Sequence, residues 1–419
     1  MMTKPAYAVI GANWGDEGKG LAVDALSASL ASEGKDVLVV RSNGGAQAGH
    51  GVERPDGRRH VFHHVGAGTF AGASTHLSQF FVAHPMLFSA ELFDLRVLGA
   101  SPRRVTIDPR APVTTPWDMA LNQAVELQRA GGRHGSTGLG FGETLERHER
   151  GPKLLAGDLW VGGLRGKLEG IQNVWVKERA IELGIDLQNS PVSGVLDGSL
   201  PVIDKFLEDC DRFLQSVELM DDAGISHNET VLFEGAQGLQ LDMDYGVFPH
   251  VTRSYTGLRN MLEIAGEAGI DVIKPLYMTR AYATRHGAGP LPFEADGTIG
   301  WADIVDLTNA PNDWQGVIRH APLDADLLAA TIARDVALAE GTGIEIDAGL
   351  GVSCLDQLKS IGVVGVGGVQ RQVTRDVIAG ELAEIAGLPL RLSSYGPVRE
   401  RVRLACYERN AATVTLNCV

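Results

Sequence analysis

A glycine-rich stretch near the start of the chain has residues suited to phosphate chemistry. GANWGDEGKG (11–20) follows the apolar run YAVIGA and precedes LAVDALSASLASEG, whose spacing is helical. A strand, a glycine turn and a helix start bring backbone N–H groups and the helix dipole to one point, which favours an anion. Lys19 adds positive charge, but Asp16 and Glu17 would repel phosphate unless a divalent cation lay between them. We therefore predict a magnesium ion beside Asp16, which could also accept a proton from a ring nitrogen.

The stretch is not a Walker A motif, because Gly20 rather than Ser or Thr follows Lys19. An ordinary strand-to-helix turn is the alternative interpretation of a generic glycine loop. The complete run WGDEGKG is far more specific than such a turn.

Three further polar stretches follow predicted strands or short glycine turns. RSNGGAQAGHGV (41–52) contains Gln47 and His50, and a histidine can exchange a proton near neutral pH. A solvated loop histidine is the alternative for His50. GRHGSTGLGFG offers the hydroxyl groups of Ser136 and Thr137 to phosphate oxygens. We expect the loops after parallel strands to gather into one site.

The fourth stretch, LFEGAQGLQLDMDYGVFPHVTRSYTG, contains Gln237 and Thr252. The amide of Gln237 could bind a base edge or a carbonyl group. By contrast, His60, His63 and His64 in RHVFHHVG are interpreted as a packed or hydrogen-bonded cluster, because no acidic or cysteine partner lies at metal-ligand spacing.

Composition excludes several classes of protein. The chain has 419 residues, 44% of them hydrophobic and 21% charged, which is typical of a globular protein with a core. A net charge of −15 argues against a broad nucleic-acid surface. No apolar run reaches the roughly 20 residues of a membrane helix. Four scattered cysteines and the absence of a signal-peptide pattern favour a reduced, cytoplasmic protein without a zinc site.

Short apolar runs alternate with helical stretches along the chain. YAVIGA, DVLVVRS, VLFEGAQ, DVIKPLYM and LPLRLSSYG are predicted strands. DMALNQAVELQRAGG, IDKFLEDCDRFLQSVELMDDAG and LDADLLAATIARDVALAEG are predicted helices, and the polar segment 298–324 is a predicted loop over the site. We expect an α/β fold over residues 1–419 as a single domain, with a large, mainly parallel central sheet and helices on both faces.

Taken together, these motifs identify a resemblance to the adenylosuccinate synthetase family, which joins aspartate to inosine monophosphate (IMP). WGDEGKG, GGAQAGH, GSTGLGFG, LFEGAQGLQLDMDYGVFPHVT, ATRHGAGPLP, SCLDQL and SSYGP occur in the family's order. The resemblance implies a P-loop-NTPase-like fold with loop and small subdomain excursions, a homodimer, and Mg²⁺, GTP and L-aspartate as ligands. It also implies that Asp16 removes the purine N1 proton and that His50 assists the transferring oxygen.

The resemblance further implies roles for individual residues. Asp16 and the Gly49 carbonyl correspond to magnesium ligands, and Arg319 is the one arginine left in the aspartate-binding loop. The purine monophosphate is matched by Gln47, Ser136, Thr137, Gln237, Thr252 and Arg150, the last of which stands about one residue from the arginine that the family lends across its dimer interface. GTP is matched by Gly15, Glu17, Gly18, Lys19, Gly20, Asp356, Ser394, Gly396 and Pro397.

The chain departs from the family pattern at several positions, so the purine stays open. Cys354 stands where the family has a lysine, Arg253-Ser254-Tyr255 replaces small polar residues, and 363–372 has no clear counterpart. The shortened aspartate loop is similar to that of a phage branch that uses deoxyguanosine monophosphate (dGMP), yet Asp16 is retained. The alternatives are therefore the same chemistry on GMP or dGMP, or a guanine-nucleotide-binding regulator without turnover.

Overall fold

The structure, a computed structural model, describes residues 5–129, 137–187, 190–294, 304 and 318–405. Ser136, Cys406 and Cys418 lie outside the described residues, as does most of the predicted loop 298–324. Within the described ranges, no helix is long and apolar enough to cross a membrane.

Strands and helices alternate along most of the chain. The strands are β1 Pro5–Gly11, β2 Val37–Arg41, β3 His50–Glu53, β4 Arg59–Phe62, β5 Ser74–Leu77, β6 Val105–Ile107, β7 Glu218–Leu219, β8 Thr230–Glu234, β9 Val272–Arg280, β10 Ala283–Arg285, β11 Arg319–Ala321, β12 Leu323–Asp324, β13 Glu345–Ile346, β14 Gly349–Ser353, β15 Ile361–Val366, β16 Val369–Thr374, β17 Leu390–Ser394 and β18 Val402–Leu404. The helices are α1 Lys19–Ser32, α2 Pro85–Val97, α3 Pro116–Gln128, α4 Phe141–Arg150, α5 Leu164–Gly170, α6 Val176–Glu182, α7 Ser193–Leu196, α8 Val202–Leu214, α9 Leu258–Ala268, α10 Ala325–Ala337 and α11 Arg375–Ile385.

A large twisted sheet organises the fold. In the described part of the chain it has eleven strands, in the order β18-β17-β14-β9-β1-β8-β2-β5-β6-β7, with β13 paired beside β9. All neighbouring strands run parallel except β18, which is antiparallel to β17. The predicted α/β fold with a mainly parallel sheet is confirmed.

Both faces of the central strands are buried. Side chains alternate along a strand, so Val9 of β1 packs into one apolar layer whereas Ala8 and Ile10 pack into the other. Helix α1 contributes Val23 and Leu26 to the first layer, and α9 contributes Met261 to the second. Burial on both faces explains why these strands read as continuous apolar runs rather than as alternating patterns.

One predicted helix was too long. The stretch 203–224 is helical only to Leu214, where α8 ends; β7 and a short 3₁₀ helix follow. The helix ends because the following residues join the edge of the sheet. β7 pairs with β6, and the Met220 N–H donates to the Ile107 carbonyl at 3.0 Å. Tertiary pairing has overridden a helical sequence pattern here.

In the described part of the chain, three small sheets lie outside the large sheet, and their strand pairs are antiparallel except for the pair of β12 and β15. β3 and β4 form a hairpin that begins at His50, and β10 pairs with β11. β15 and β16 form a second hairpin, to which the two-residue β12 adds. This hairpin accounts for residues 363–372, which had no counterpart in the family pattern.

A buried ion pair fixes α4 against α3. Arg147 donates from Nε and Nη2 to the two oxygens of Asp118, at 3.0 and 2.8 Å, and both side chains are buried. The remaining guanidinium hydrogens reach the carbonyls of Val113 and Pro152. Asp118 also caps its own helix through the backbone N–H of Thr115. Helix α4 follows the Thr137 loop, so this pair also positions that loop.

We predict that Asp118→Ala lowers the free energy of unfolding by about 3–5 kcal/mol, because it leaves the Arg147 charge buried without a partner. Urea unfolding at neutral pH measures the loss. Asp204→Ala is the matched control, since it breaks an exposed pair with Arg165 and should change stability little. Equal losses in the two variants would contradict the assigned role of the buried pair.

Candidate active site

The carboxyl ends of the central strands meet at one cavity of about 720 Å³. Residues at or just beyond the ends of β1, β2, β8, β9, β14 and β17 all line it. The predicted site residues in its wall are Gly15, Asp16, Gly18, Lys19, Gly20, Gln47, Gly49, His50, Thr137, Gln237, Thr252, Asp356, Ser394, Gly396 and Pro397. The expectation that loops after parallel strands would gather is confirmed.

The glycine loop is organised around the buried carboxylate of Glu17. One oxygen accepts the backbone N–H groups of Asn13 and Gly15 at 3.0 and 2.8 Å, and the other accepts from Lys19 Nζ at 2.7 Å. Glu17 itself does not line the cavity. Its negative charge therefore offsets Lys19 inside the protein instead of facing a phosphate.

The space for Glu17 depends on two glycines. A Cβ on Gly11 would lie 2.5 Å from Glu17 Oε2, and one on Gly238 would clash with the carbonyl of Asn13. The glycines of the β1 loop and of the GAQG turn therefore allow the two loops to approach each other closely. This close approach brings Gln237 and Asp16 to the same wall.

Asp16 faces the cavity and is surrounded by cations. Its side chain is 28% exposed, and His286 Nε2 lies 3.4 Å from Oδ2. Arg280 Nε donates to the backbone carbonyl of Asp16 at 2.5 Å. Burial raises the pKa of the Asp16 carboxyl, and the charges of Arg280, His286 and Lys19 offset part of that rise. A carboxylate of raised pKa is a stronger base than an ordinary aspartate.

His50 is held by a buried carboxylate that the sequence analysis did not single out. His50 Nδ1 lies 2.5 Å from Glu234 Oε1 at the end of β8, and the ring is only 6% exposed. Burial lowers the pKa of His50 to about 4, although Glu234 acts in the opposite direction. Burial also opposes ionisation of Glu234, but Arg41 and the hydrogen bond from His50 hold its pKa below the usual value. These directions favour a neutral imidazole whose Nδ1–H donates to an ionised Glu234.

The other nitrogen of this ring is available to a ligand. His50 Nε2 is buried and has no hydrogen-bond partner among the described residues. The same holds for Nε2 of Gln47, which lines the same cavity. Buried polar atoms normally have partners, so these two atoms indicate a polar ligand in the cavity.

Gln237 owes its position to the strand beside it. Asn43, after β2, accepts from the Ala236 N–H at 2.7 Å and donates to the Ala236 carbonyl at 3.1 Å. Gln237 then takes a backbone φ of +66° and lines the cavity. Thr252 is tied back by its N–H to the Leu241 carbonyl at 2.8 Å. Gln237 and Thr252, both in the connection between β8 and α9, thus share one wall.

The residues matched to a guanine base lie at the ends of β14 and β17, which are neighbours in the sheet. Asp356 follows β14 in a short 3₁₀ helix, and Cys354 precedes it with a φ of +58°. Ser394 Oγ donates to the Gly396 carbonyl at 2.8 Å, which shapes the turn before Pro397. These residues form one end of the cavity wall.

Three predicted residues lie away from the cavity wall. Glu17 is buried behind the glycine loop, as described above. Arg150 is half exposed and donates to Glu146 and Glu182. Arg319 donates to Glu294 and to the Gly289 carbonyl, both at 2.5 Å. Ser136 lies outside the described residues.

The oxygen donors in the cavity suit magnesium. The Asp16 carboxylate and the Gly49 carbonyl are hard oxygen ligands, and Mg²⁺ commonly takes one or two of these together with substrate phosphates. Among the described residues, no group of three or more His, Cys, Asp or Glu side chains could hold a metal ion. The donor set thus fits a magnesium ion that arrives with a nucleotide.

The histidines of RHVFHHVG form a hydrogen-bonded cluster around Glu91. His64 Nδ1 lies 3.0 Å from one Glu91 oxygen, and His60 Nε2 lies 3.8 Å from the other. Glu91 also accepts the backbone N–H groups of residues 63 to 65. His63 Nδ1 contacts the Ala46 carbonyl at 2.7 Å and so supports the loop that carries Gln47.

Sequence reasoning missed Glu234, Arg280 and His286. All three lie within or beside motifs that it quoted: Glu234 begins EGAQG, and His286 belongs to ATRHGAGPLP. The available signal was position, because Glu234 lies within one predicted strand and Arg280 lies two residues after another. In the structure they are the last residues of β8 and β9. Charged residues where buried parallel strands end are candidates for a site at that edge.

Comparison with known proteins identifies the family. A family model described as adenylosuccinate synthetase matches residues 8–310 of the chain. The chain belongs to the adenylosuccinate synthetase family. The enzyme of Stenotrophomonas maltophilia (strain R551-3) is 33% identical over 301 residues, and that of Xylella fastidiosa (strain M12) is 35% identical over 306. Each match covers 70% of this chain and 66% of the relative, so the chain spans slightly less than two thirds of the length of these adenylosuccinate synthetases.

Solved structures extend the likeness in fold to most of the chain. The fully ligated adenylosuccinate synthetase from Plasmodium falciparum gives a TM-score of 0.72 at 18% identity, over 96% of this chain and 100% of that one. The cyanophage S-2L succinoaminodeoxyadenylate synthetase, bound to dGMP and dATP, gives 0.58 at 16% identity, over 96% and 95%. At such identities the likeness concerns the fold. It includes the region after residue 310, which carries Asp356 and Ser394.

We predict that His50 is neutral at pH 7 and carries its proton on Nδ1. Nitrogen-15 NMR of histidine-labelled protein should show a protonated Nδ1 and an unprotonated Nε2 for this ring, because burial lowers its pKa to about 4. In Glu234→Leu the acceptor is lost, and the preference for the Nδ1 tautomer should disappear. A protonated imidazolium at pH 7 in the unliganded protein would contradict the assignment.

Proposed function

We propose that this chain is a GTP-dependent ligase that joins L-aspartate to C6 of a 6-oxopurine nucleoside monophosphate, with IMP as the principal substrate. The observation that carries this proposal is that Asp16 and His50 line one cavity together with the glycine loop and Lys19. A protein that merely bound a nucleotide would need the loop and the lysine. It would not need an acid–base pair in the same wall.

In the first step Asp16 acts as the base. Its carboxylate takes the proton from N1 of the purine, and the electron pair released makes O6 a nucleophile. O6 then forms a bond to the γ-phosphorus of GTP, and the bond from that phosphorus to the β-bridging oxygen breaks, so GDP leaves. Asp16 lines the cavity, and a positioned carboxylate is a suitable general base for this transfer.

His50 assists the phosphoryl group during this transfer. Its Nε2 is directed by the bond from Nδ1 to Glu234, which fixes the ring. When phosphate oxygens enter the cavity, their negative charge favours the imidazolium form that burial alone disfavours. A protonated Nε2 can then donate to an oxygen of the transferring group, while Lys19 and the loop N–H groups offset the remaining charge.

A magnesium ion would be held by Asp16 and the Gly49 carbonyl. When bound, such an ion offsets phosphate charge and aligns the phosphate chain. In the second step the amine of aspartate forms a bond to C6, and the C6–O6 bond breaks. O6 leaves within inorganic phosphate, which also takes the proton that the amine loses. Arg319 is the candidate partner for a carboxylate of aspartate, and it would have to exchange its ion pair with Glu294, outside the cavity wall, for that carboxylate.

The residues that would bind the monophosphate substrate and the guanine base also line this cavity. We assign the monophosphate substrate to Gln47, Thr137, Gln237 and Thr252, and the guanine base to Asp356 and the Ser394 turn, which line the cavity. A homodimer, a cytoplasmic location and a single domain over residues 1–419 are further parts of the proposal. They rest on the family alone.

The proposal predicts that GDP and phosphate form only when Mg²⁺, GTP, a purine monophosphate and aspartate are all present. Asp16→Asn should lower kcat by about 10² to 10⁴, because the base is lost while the side chain keeps its shape. A coupled GDP assay measures this, with circular dichroism to verify the fold. Full activity in Asp16→Asn would contradict its role as the base.

Parallel assays with IMP, GMP and dGMP identify the purine. Preference for IMP is the expected outcome, whereas preference for GMP or dGMP would assign the chain to the 2-aminopurine reaction. Binding of nucleotides without turnover on any of the three would favour a regulator and contradict the proposed ligase.

Arg319→Ala tests the proposed aspartate site. Losing a charged hydrogen bond to a carboxylate should raise the KM for aspartate by about 10-fold or more and leave those for GTP and IMP nearly unchanged. The two nucleotides serve as internal controls in the same assay. Equal increases for all three substrates would show that Arg319 supports the fold instead of binding aspartate.

A further inference from the structure

The phosphate of the monophosphate substrate is negatively charged, so a cation is expected in the cavity wall beside it. Within its own chain, Arg150 does not lie in that wall. Arg150 is 50% exposed, lies away from the cavity wall, and donates to Glu146 and Glu182. Arg253 follows Thr252 directly, lines the cavity and is 32% exposed. We propose that Arg253 binds the phosphate of the purine monophosphate from within the same chain, an inference that rests on the proposed function.

The guanidinium of Arg253 is held by helix α4. Its Nη1 donates to Glu146, and its Nη2 donates to Glu149 at 2.6 Å. These contacts use two of the five N–H donors of an arginine, so three stay available to phosphate oxygens. Helix α4 begins four residues after Thr137, and Arg253 is adjacent to Thr252. The same ion pairs therefore join the two loops that carry the candidate phosphate hydroxyls.

The other cations in the cavity wall are already held in different places. Lys19 is bound to Glu17, and Arg280 donates to the carbonyl of Asp16. Arg285 donates to the carbonyls of Pro290 and His250. Arg129 pairs with Glu126, one turn earlier on its own helix. Arg285 thus reaches the loop of Thr252 only through a backbone carbonyl, whereas Arg253 is the residue next to Thr252.

Glu146 and Glu149, which hold Arg253, compete with a phosphate for its guanidinium group. Glu149 is 59% exposed, and an ion pair in water contributes little to stability. A phosphate dianion can therefore displace Glu149, whereas the more buried Glu146 keeps the guanidinium in place. Removing the Glu149 charge should consequently favour the phosphate.

The test compares IMP with inosine, which is the same purine nucleoside without the phosphate. Isothermal calorimetry with the full chain measures the affinity for each, and the ratio isolates the phosphate. Arg253→Ala should lower this ratio by about 10- to 100-fold, as expected for lost hydrogen bonds to a charged group. Inosine binding should not change. Arg253→Lys should recover part of the ratio, and Glu149→Gln should increase it.

Arg259→Ala is the matched control. Arg259 is also an exposed arginine near this loop with an acidic partner, Asp244, but it does not line the cavity. In Arg259→Ala the ratio of the affinities for IMP and inosine should equal that of the wild type. A parallel loss of IMP and inosine binding in Arg253→Ala would overturn the inference, and so would an unchanged ratio. A ratio that falls in Arg150→Ala and not in Arg253→Ala would also overturn it.

Failure of the proposed function would look different. Absence of aspartate-dependent GDP formation in the wild type contradicts the ligase, yet the calorimetric ratio still measures whether Arg253 reads the phosphate. If the wild type binds neither IMP nor GMP nor dGMP, both proposals are wrong.

Discussion

Buried charges at the carboxyl ends of β1, β2 and β8 must offset one another, and the site depends on this balance. Glu234 lies at the end of β8, beside Arg41 at the end of β2, and it holds His50 at the start of the following hairpin. Glu17 performs the same role for Lys19 after β1. An unpaired charge in such a position would cost several kcal/mol. The pairs therefore fix side chains that the chemistry needs, because any other rotamer would leave a buried charge without a partner.

The same balance separates two acids that are adjacent in sequence. Asp16 and Glu17 both looked repulsive to phosphate when only their types were known. In the folded chain Glu17 turns inward and accepts N–H groups of its own loop, whereas Asp16 turns to the cavity between cations. Sequence patterns could locate the loop but could not assign opposite orientations to neighbouring residues. That assignment depends on Gly11, at the end of β1, and on Gly238, in the turn after β8, because a side chain on either would collide with Glu17.

The predictable part of the fold was its centre. β1, β2, β8 and β9 are buried on both faces, so their apolar runs were visible in the sequence, and the loops that follow them were recognised by glycine and amide residues. β7 was hidden inside a helical pattern because pairing with β6, which is remote in sequence, determines it. Glu234 and Arg280 were missed for a related reason: their partners, His50 and the carbonyl of Asp16, are remote in sequence. Arg150 and Arg319 were chosen by motif position. Within the one chain both pair with acidic neighbours outside the cavity wall, where an arginine lent to a partner subunit would also lie.

Backbone strain points to the same cavity independently of any motif. Within the described ranges, four residues other than glycine have positive φ: Asp16, Gln237, Phe293 and Cys354. Three of these line the cavity, and each follows a different strand of the central sheet. A left-handed conformation costs a non-glycine residue roughly 1 kcal/mol or more, and it persists only where surrounding contacts enforce it. Around Asp16 those contacts are the Arg280 bond to its carbonyl and the bonds that join the Glu17 carboxylate to the backbone N–H groups of Asn13 and Gly15. A relaxed loop would change the direction of the Asp16 carboxylate, so the strain is the energetic cost of presenting that carboxylate to the cavity.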